Sequence, residues 1–380
     1  MTKQTLGLAL TLALIVPAPL AAGTSVSIHT SRKIVTFRSE QQHTATIVAQ
    51  AGEVVQTLDE HHGVAARLSD AAVSALEERS DVVSVVDDPV IRVTSHTRGQ
   101  QLPWGIDRVD ADRVWSTTAG TGSVVAIVDT GIDLDHPDLV GTIAGSTNII
   151  RADRSADDDS GHGTHVAGIV AARNNTIGVV GVAPSASLLA VKVLDRRGAG
   201  YLSDIVAGID WAADHGADVI NLSLGTSVDF PLFHDAISTA VDQGVVIVAA
   251  SGNSGGSVLY PAAYDGVIAV GATDDTDEVQ RWSSRGAELD LVAPGEDIYS
   301  TYKGGRYRDM TGTSMAAPHV SGAAALLIAQ PSRCDTSGDS QCSPAEVKSA
   351  LQAAASDLLT SGWDSTSGYG FLNVARLFGL

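Results

Sequence analysis

Ser314 stands in Gly312-Thr313-Ser314-Met315-Ala316-Ala317-Pro318-His319-Val320-Ser321-Gly322, a tight turn that runs straight into the small, apolar residues 323–329. This layout predicts a buried helix with Ser314 at its mouth. A helix N-terminus offers unpaired amides and a positive dipole end, which suits an oxygen that becomes negative during a reaction. Taken alone, the same layout also describes an ordinary N-cap serine. The chemical reading needs partners: a serine hydroxyl attacks only if a base removes its proton. A histidine does this well only when a buried carboxylate fixes its tautomer and stabilises its charged form.

Two upstream stretches supply such partners. Residues 124–133, VVAIVDTGID, put Asp129 at the end of a strand, and Ser160-Gly161-His162-Gly163-Thr164-His165-Val166-Ala167-Gly168 puts His162 before a helix starting at Gly163. Asp133 and Asp135 compete with Asp129, but they fall in the turn beyond Gly131 and read as turn and surface acids. His165 falls within the first helical turn and reads as a structural hydrogen-bonding residue. The pair His162-x-x-His165 does not match the helical zinc motif, which needs histidines four apart with a glutamate between them. The order Asp, His, Ser with these flanking sequences resembles the subtilisin-like serine proteases, and the likeness covers nearly all of residues 100–378. Esterases of the α/β-hydrolase type carry their serine in Gly-x-Ser-x-Gly and in another chain order; this chain has Gly312-Thr313-Ser314-Met315-Ala316.

The resemblance implies roles residue by residue. Ser314 is the nucleophile, His162 the base and then the acid, and Asp129 the group that orients it. Asn253, in the turn 248–255, and the Ser314 amide are the donors to a developing oxyanion. Gly198, Ala199 and Gly200 match the strand that pairs with an extended peptide. Ser223, Leu224 and Gly225 match one wall of the specificity pocket. The opposite wall is short, with only Ser254 to Leu259 between Asn253 and Tyr260, and Leu259 falls where the family has a small residue. The expected pocket is apolar and shallow, favouring Leu or Met. The loop 173–179 resembles the family's calcium loop, with Gln100, Asp138 and Asn175 and the main-chain carbonyls of Arg173, Ile177 and Val179 as the hard oxygen donors that Ca²⁺ prefers. The alternative is a non-enzymatic, peptide-binding member of the same fold.

The elements that must position these groups alternate between apolar strand-like runs and helical ones, the pattern of a parallel sheet covered on both faces. Strands are expected at 123–128, 187–193, 218–223, 245–250 and 266–270, and helices at 163–172, 202–215, 232–243, 314–329 and 344–355. In such sheets ligands bind beyond the carboxyl ends of the strands, and Asp129, Ser223 and Asn253 all fall there. The expected architecture is a subtilisin-like three-layer α/β fold with a mostly parallel sheet between helices, preceded by a small α+β propeptide domain.

A length of 380 residues asks for two folded units or one large unit with additions. Lys3, the apolar run 6–16 and small residues up to Ala22 have the layout of a secretory signal over 1–22, and the run is too short for a membrane span. Residues 24–98 read as a small module: strands at 34–37 and 46–48, a helix at 70–79 with Ala72, Val73 and Leu76 on one face, and paired strands at 81–93 around Pro89. The stretch 80–88 resembles the end of the family's propeptide, giving an inhibitory propeptide over 23–98 and a catalytic domain over 99–380; an independent binding domain is the other reading of this module. The polar stretch Ser95–Gly99 is placed where the cut is needed.

The chain carries 44 acidic and 24 basic residues, a formal net charge of −20. From Gly99 onward, 30 Asp and 4 Glu face 13 Arg and 3 Lys. Such a surface argues against nucleic-acid binding, which needs a cationic patch. It fits a soluble protein in salty or calcium-containing surroundings, or simply an acidic solvated face. Cys334 and Cys342 are close enough to close a loop by a disulfide, with two free thiols as the alternative. The expectation is therefore a secreted, extracellular monomer without a membrane anchor, acting on protein and peptide substrates, with its own propeptide as chaperone and inhibitor.

Overall fold

The computed structural model describes residues 30–38, 44–88 and 99–380, and the chain separates into two compact units between Ser95 and His96. The signal-like segment 1–22, the stretch around Pro89 to Val93 and most of the linker expected at Ser95–Gly99 lie outside the described residues. In the first unit, strand β1 (Thr30–Phe37), helix α1 (Thr44–Ala51), strands β2 (Gly52–Leu58) and β3 (Gly63–Ser69), helix α2 (Asp70–Glu77) and strand β4 (Val82–Asp87) build an antiparallel sheet in the order β2-β3-β1-β4. Its core is Val35, Phe37, Val48, Val64, Leu68, Leu76 and Val82, with Ala72 and Val73 packed against it, as the helical face predicted.

One expectation in this unit needs correction. Thr46-Ile47-Val48 is not a strand but lies inside α1; three β-branched residues are outweighed by the alanines and glutamine around them, and the helix buries Val48. β4 pairs with β1, and the second strand expected after Pro89 lies outside the described residues. The β2–β3 hairpin went unpredicted because exposed residues break up its apolar alternation.

The second unit is organised on long apolar runs. After the short helix α3 (Trp104–Arg108) come β5 (Val124–Asp129), β6 (Ile143–Asn148), α4 (His162–Ala171), β7 (Ser187–Lys192), α5 (Leu202–Asp214), β8 (Val219–Leu222), α6 (Pro231–Asp242), β9 (Val246–Ala250), β10 (Val267–Thr273) and β11 (Leu291–Pro294). The hairpin β12 (Ile298–Tyr302) and β13 (Arg306–Met310) follows, then α7 (Thr313–Ile328), α8 (Pro344–Ala354) and α9 (Val374–Leu377). Seven strands form one sheet in the order β11-β10-β9-β8-β5-β7-β6, with every pairing parallel. Strands such as VINL and VIVAA are buried along their whole length, as a sheet covered on both faces requires. α4 packs with α7, and α5 with α6, giving the flanking layers.

The five predicted strands and five predicted helices are present within a few residues. The sheet gains β6 and β11 at its two edges, where runs are short or interrupted (IAGSTN, LVAP). The chain order reverses at β5, which lies between β7 and β8. That switch point opens a crevice at the carboxyl ends of these strands, and Asp129 is the last residue of β5.

Candidate active site

Asp129 is fully buried, and both its oxygens face His162 Nδ1, at 2.8 and 2.9 Å. The Thr130 amide donates to the same carboxylate at 2.6 Å. His162 is the first residue of α4, one residue earlier than expected, because Gly161 takes the N-cap position with φ 108°. A remote side chain caps this helix start: Asp158 accepts hydrogen bonds from the amides of Ser160, Gly161 and Thr164 and from the hydroxyls of Thr130 and Thr164. Gly163 lets the helix approach the strand, since a Cβ there would stand 2.1 Å from Gly131 O and 3.1 Å from Asp129 Oδ1. Burial lowers the His162 pKa, but the charge and hydrogen bond of Asp129, joined by the charge of Asp158, outweigh it and leave the imidazole above its ordinary value.

His165 is held elsewhere. Its Nε2 bonds the carbonyls of Ile298 and Arg308, both at 2.9 Å, joining α4 to the β12–β13 hairpin. Burial drives its pKa down to about 4, so it stays neutral. Asp133 is corrected from surface acid to buried anchor: its Oδ2 accepts from the amides of Gly304 and Gly305 at the hairpin turn.

Ser314 is the second residue of α7, a helix whose Pro318 has no amide to offer the carbonyl four residues back. That orphaned carbonyl belongs to Ser314, and Ser223 Oγ donates to it at 2.8 Å. The Ser314 hydroxyl in turn donates to Ser223 O at 3.1 Å. A proline inside the helix thus leaves a hook by which the end of β8 holds Ser314 in place. Nearby, Asn253 Oδ1 accepts from the amide and hydroxyl of Thr313, at 2.9 and 2.8 Å, which directs its Nδ2 the other way. A side chain at Gly312 would stand 3.4 Å from Asn253 Nδ2 and 3.7 Å from Ser314 N. Both amide groups therefore open on the same small space.

Two hollows adjoin this space and share Ser223, Leu224 and Gly225. The smaller, about 380 Å³, lies between those residues and Gly252–Ser254, beside Ser314. Leu259 fills it from below: a Cβ on Gly252 would be 2.7 Å from Leu259 Cγ, and one on Gly225 3.1 Å from Leu259 Cβ. The larger cleft, about 630 Å³, is lined by His162, Gly198, Ala199 and Gly200 together with apolar groups such as Leu202, Phe230 and Phe233. Residues 198–200 form no strand within the chain.

The loop 173–179 meets Gln100 and Asp138 as expected. Gln100 Nε2 lies 2.6 Å from Arg173 O and 3.0 Å from Val179 O, and its Oε1 accepts from Asn175 N. The buried Asp138 carboxylate accepts from Asn175 Nδ2 and Val179 N, and the Arg173 guanidinium turns away to Val140 O. One carboxylate, two side-chain amides and converging carbonyls are a hard-oxygen donor set of the kind calcium takes. The structure thus sets Asp129 against His162, and Ser314 with Asn253 beside the 223–225 segment, while His162 and Ser314 line two hollows that share Ser223, Leu224 and Gly225; Gln100, Asp138, Arg173, Asn175, Ile177 and Val179 meet elsewhere through hydrogen bonds.

Sequence reasoning missed the supports: Asp158, Thr130, Thr313 and Lys192. Lys192 is buried and donates to Thr130 O, Leu194 O and Asp159 Oδ1. The run Asp157-Asp158-Asp159 was the one visible signal, and nothing in it told which aspartate turns inward.

The chain belongs to the subtilase family, whose profile matches residues 120–370. Among its relatives is the alkaline protease of Shouchella clausii, 47% identical over 260 residues, which are 68% of this chain and 64% of that protein. Subtilisin Savinase of Lederbergia lenta is 50% identical over 60% of this chain and 84% of its own length. Subtilisin E of Bacillus subtilis strain 168 is 43% identical over 75% of each. The match thus spans a little under two thirds of the Shouchella alkaline protease.

Proposed function

We propose that this chain is a serine endopeptidase acting through Ser314, His162 and Asp129. The observation that carries the reading is the buried Asp129 carboxylate holding His162 Nδ1, with His162 and Ser314 lining two hollows that share Ser223, Leu224 and Gly225. With the proton of Nδ1 directed at Asp129, Nε2 keeps its lone pair and acts as the base. Ser314 Oγ turns from Ser223 O onto that nitrogen and attacks the peptide carbonyl. Asn253 Nδ2 and Ser314 N then stabilise the oxyanion. His162 returns the proton to the leaving amine, and water, activated in the same way, releases the acyl group. The relatives, an alkaline protease and subtilisins, support the same reaction class.

Leu259 limits the small hollow, which supports cleavage after medium apolar residues such as Leu or Met. The strandless segment Gly198–Gly200 supports pairing with an extended substrate through main-chain bonds, and hence broad specificity. A Ca²⁺ held by Gln100, Asp138, Asn175 and the carbonyls of Arg173, Ile177 and Val179 would tie the start of the second unit to the loop after α4. Residues 1–22 serve as export signal and 23–98 as propeptide, inhibitor and folding chaperone, removed by the enzyme itself, which is secreted and works as a monomer.

The test is turnover on a peptide series varied at the residue before the cut. Ser314→Ala is expected to lower kcat by about 10⁶, and Asn253→Ala by about 10²–10³, the losses known for the matching residues of a subtilisin. Wild-type activity surviving in Ser314→Ala would overturn the assignment, and a profile led by Arg or Lys would overturn the pocket reading.

A further inference from the structure

Of the side chains lining the larger cleft, Arg197 alone carries a permanent charge. The rest of that lining is apolar, glycine or hydroxyl, apart from His162. Arg197 is exposed, and its guanidinium makes no hydrogen bond or ion pair with the described residues. Arg196 beside it is equally free and lines an adjoining polar hollow with Arg151 and Arg154. The carboxylates there are hydrogen-bonded or ion-paired, and the charge of Asp195 lies near enough to Arg197 to attract it. Asp159 pairs with Lys192 at 2.7 Å. Asp195 accepts from the amides of Arg197 and Ala199 at 2.8 and 3.1 Å, and Asp157 from the amide of Leu134 at 3.3 Å. Asp153 is exposed on the same turn as Arg151 and Arg154 but does not line the hollow.

This distribution is unusual for the molecule. Against a formal charge of −20, an ordinary stretch of surface presents carboxylates, whereas the substrate cleft presents a free guanidinium and no carboxylate. The small hollow beside Ser314 and the large cleft share Leu224 and Gly225. A peptide whose residue before the cut enters the former therefore leads its preceding residues through the latter, past Gly198 and Arg197.

We propose that Arg197, supported by Arg196, selects peptide substrates bearing an acidic residue a few positions before the scissile bond. The proposal rests on the endopeptidase reading given above. The apolar lining takes neighbouring apolar side chains while a guanidinium at the rim meets a carboxylate, a planar group it can bind through two N–H donors. Exposed pairs of this kind contribute modestly, so the preference is about 2- to 5-fold and is screened by salt.

The experiment uses matched peptides that share one apolar residue before the cut and carry Gln, Glu or Lys at each of the second to fifth positions before it. Rates are read as kcat/KM at low salt and at 1 M NaCl. In the wild type the Glu-to-Gln ratio is expected to peak at one or two positions. There it should fall in Arg197→Ser and approach one in the Arg196→Ser/Arg197→Ser double variant, chiefly through KM, with Lys moving the opposite way. In 1 M NaCl wild type and variants should agree. Equal low-salt ratios in wild type and double variant would overturn the proposal, as would a difference that survives high salt. If the wild type fails to cut even the Gln peptides, the endopeptidase reading itself falls. Serine keeps the backbone amide that donates to Asp195, so the turn is not expected to rearrange.

Discussion

His162 sits between two opposed forces. Burial disfavours its charged form, while Asp129 in contact and Asp158 nearby favour it more, so its pKa lies above the ordinary 6.5. The base works only when neutral, and activity must therefore rise with pH through that raised value. The stabilising contribution of the charged form runs the other way: it is fully present below the unfolded pKa and is lost as pH rises through the folded one. The acid limb of kcat/KM is expected above pH 6.5. In Asp129→Asn it should move to lower pH, with kcat falling by about 10⁴ because the tautomer is no longer fixed. A limb that stays in place in Asp129→Asn would show that Asp129 does not govern the histidine. At this scale the sequence was readable where a motif set the geometry, as in the meeting of Asp129 with His162 and of Asn253 with the residue before Ser314. It was silent where a side chain acts through another. Asp158 caps a helix four residues ahead, and Ser223 Oγ accommodates a carbonyl freed by Pro318; both depend on contacts that spacing does not reveal.

At the scale of elements, α4 is held in a vice between β5 and the β12–β13 hairpin. On the hairpin side, Ser300 Oγ donates to His165 O at 2.9 Å and Thr301 Oγ1 to Thr164 O at 2.7 Å. Gly168 permits this approach, because a Cβ there would stand 2.1 Å from Thr301 Oγ1 and 2.5 Å from Ser300 Oγ. Neither hydroxyl can yield without giving up a buried hydrogen bond. Gly168→Ala is expected to cost about 1–3 kcal/mol through overpacking. Thermal unfolding in a Ser314→Ala background, where self-digestion is absent, should show a clear drop in Tm; an unchanged Tm would mean that the hairpin shifts freely. The helices and central strands were legible because long apolar runs are diagnostic when a sheet is buried on both faces. The edge strands β6 and β11 and the hairpin escaped because partners distant in sequence complete their burial. In the first unit the helix α1 was misread as a strand, three β-branched residues being too short a sample to decide between the two.

For the whole molecule, two compact units with separate cores stand on either side of Ser95. The second holds the family match and the candidate site, and the first holds a small antiparallel sheet with two helices. On the proposed function, this division is that of a precursor whose second unit would cut the chain near the junction through Ser314. Net acidity persists across the second unit, while the cleft itself is lined by one free guanidinium, that of Arg197. The most direct test is the intact mass and N-terminal sequence of the full chain beside its Ser314→Ala variant, each expressed alike and purified without other proteases. The account predicts that the wild type loses the segment up to about Gly99 while Ser314→Ala retains residues 30–88. Identical processing in both would contradict it, because the cut would then owe nothing to Ser314.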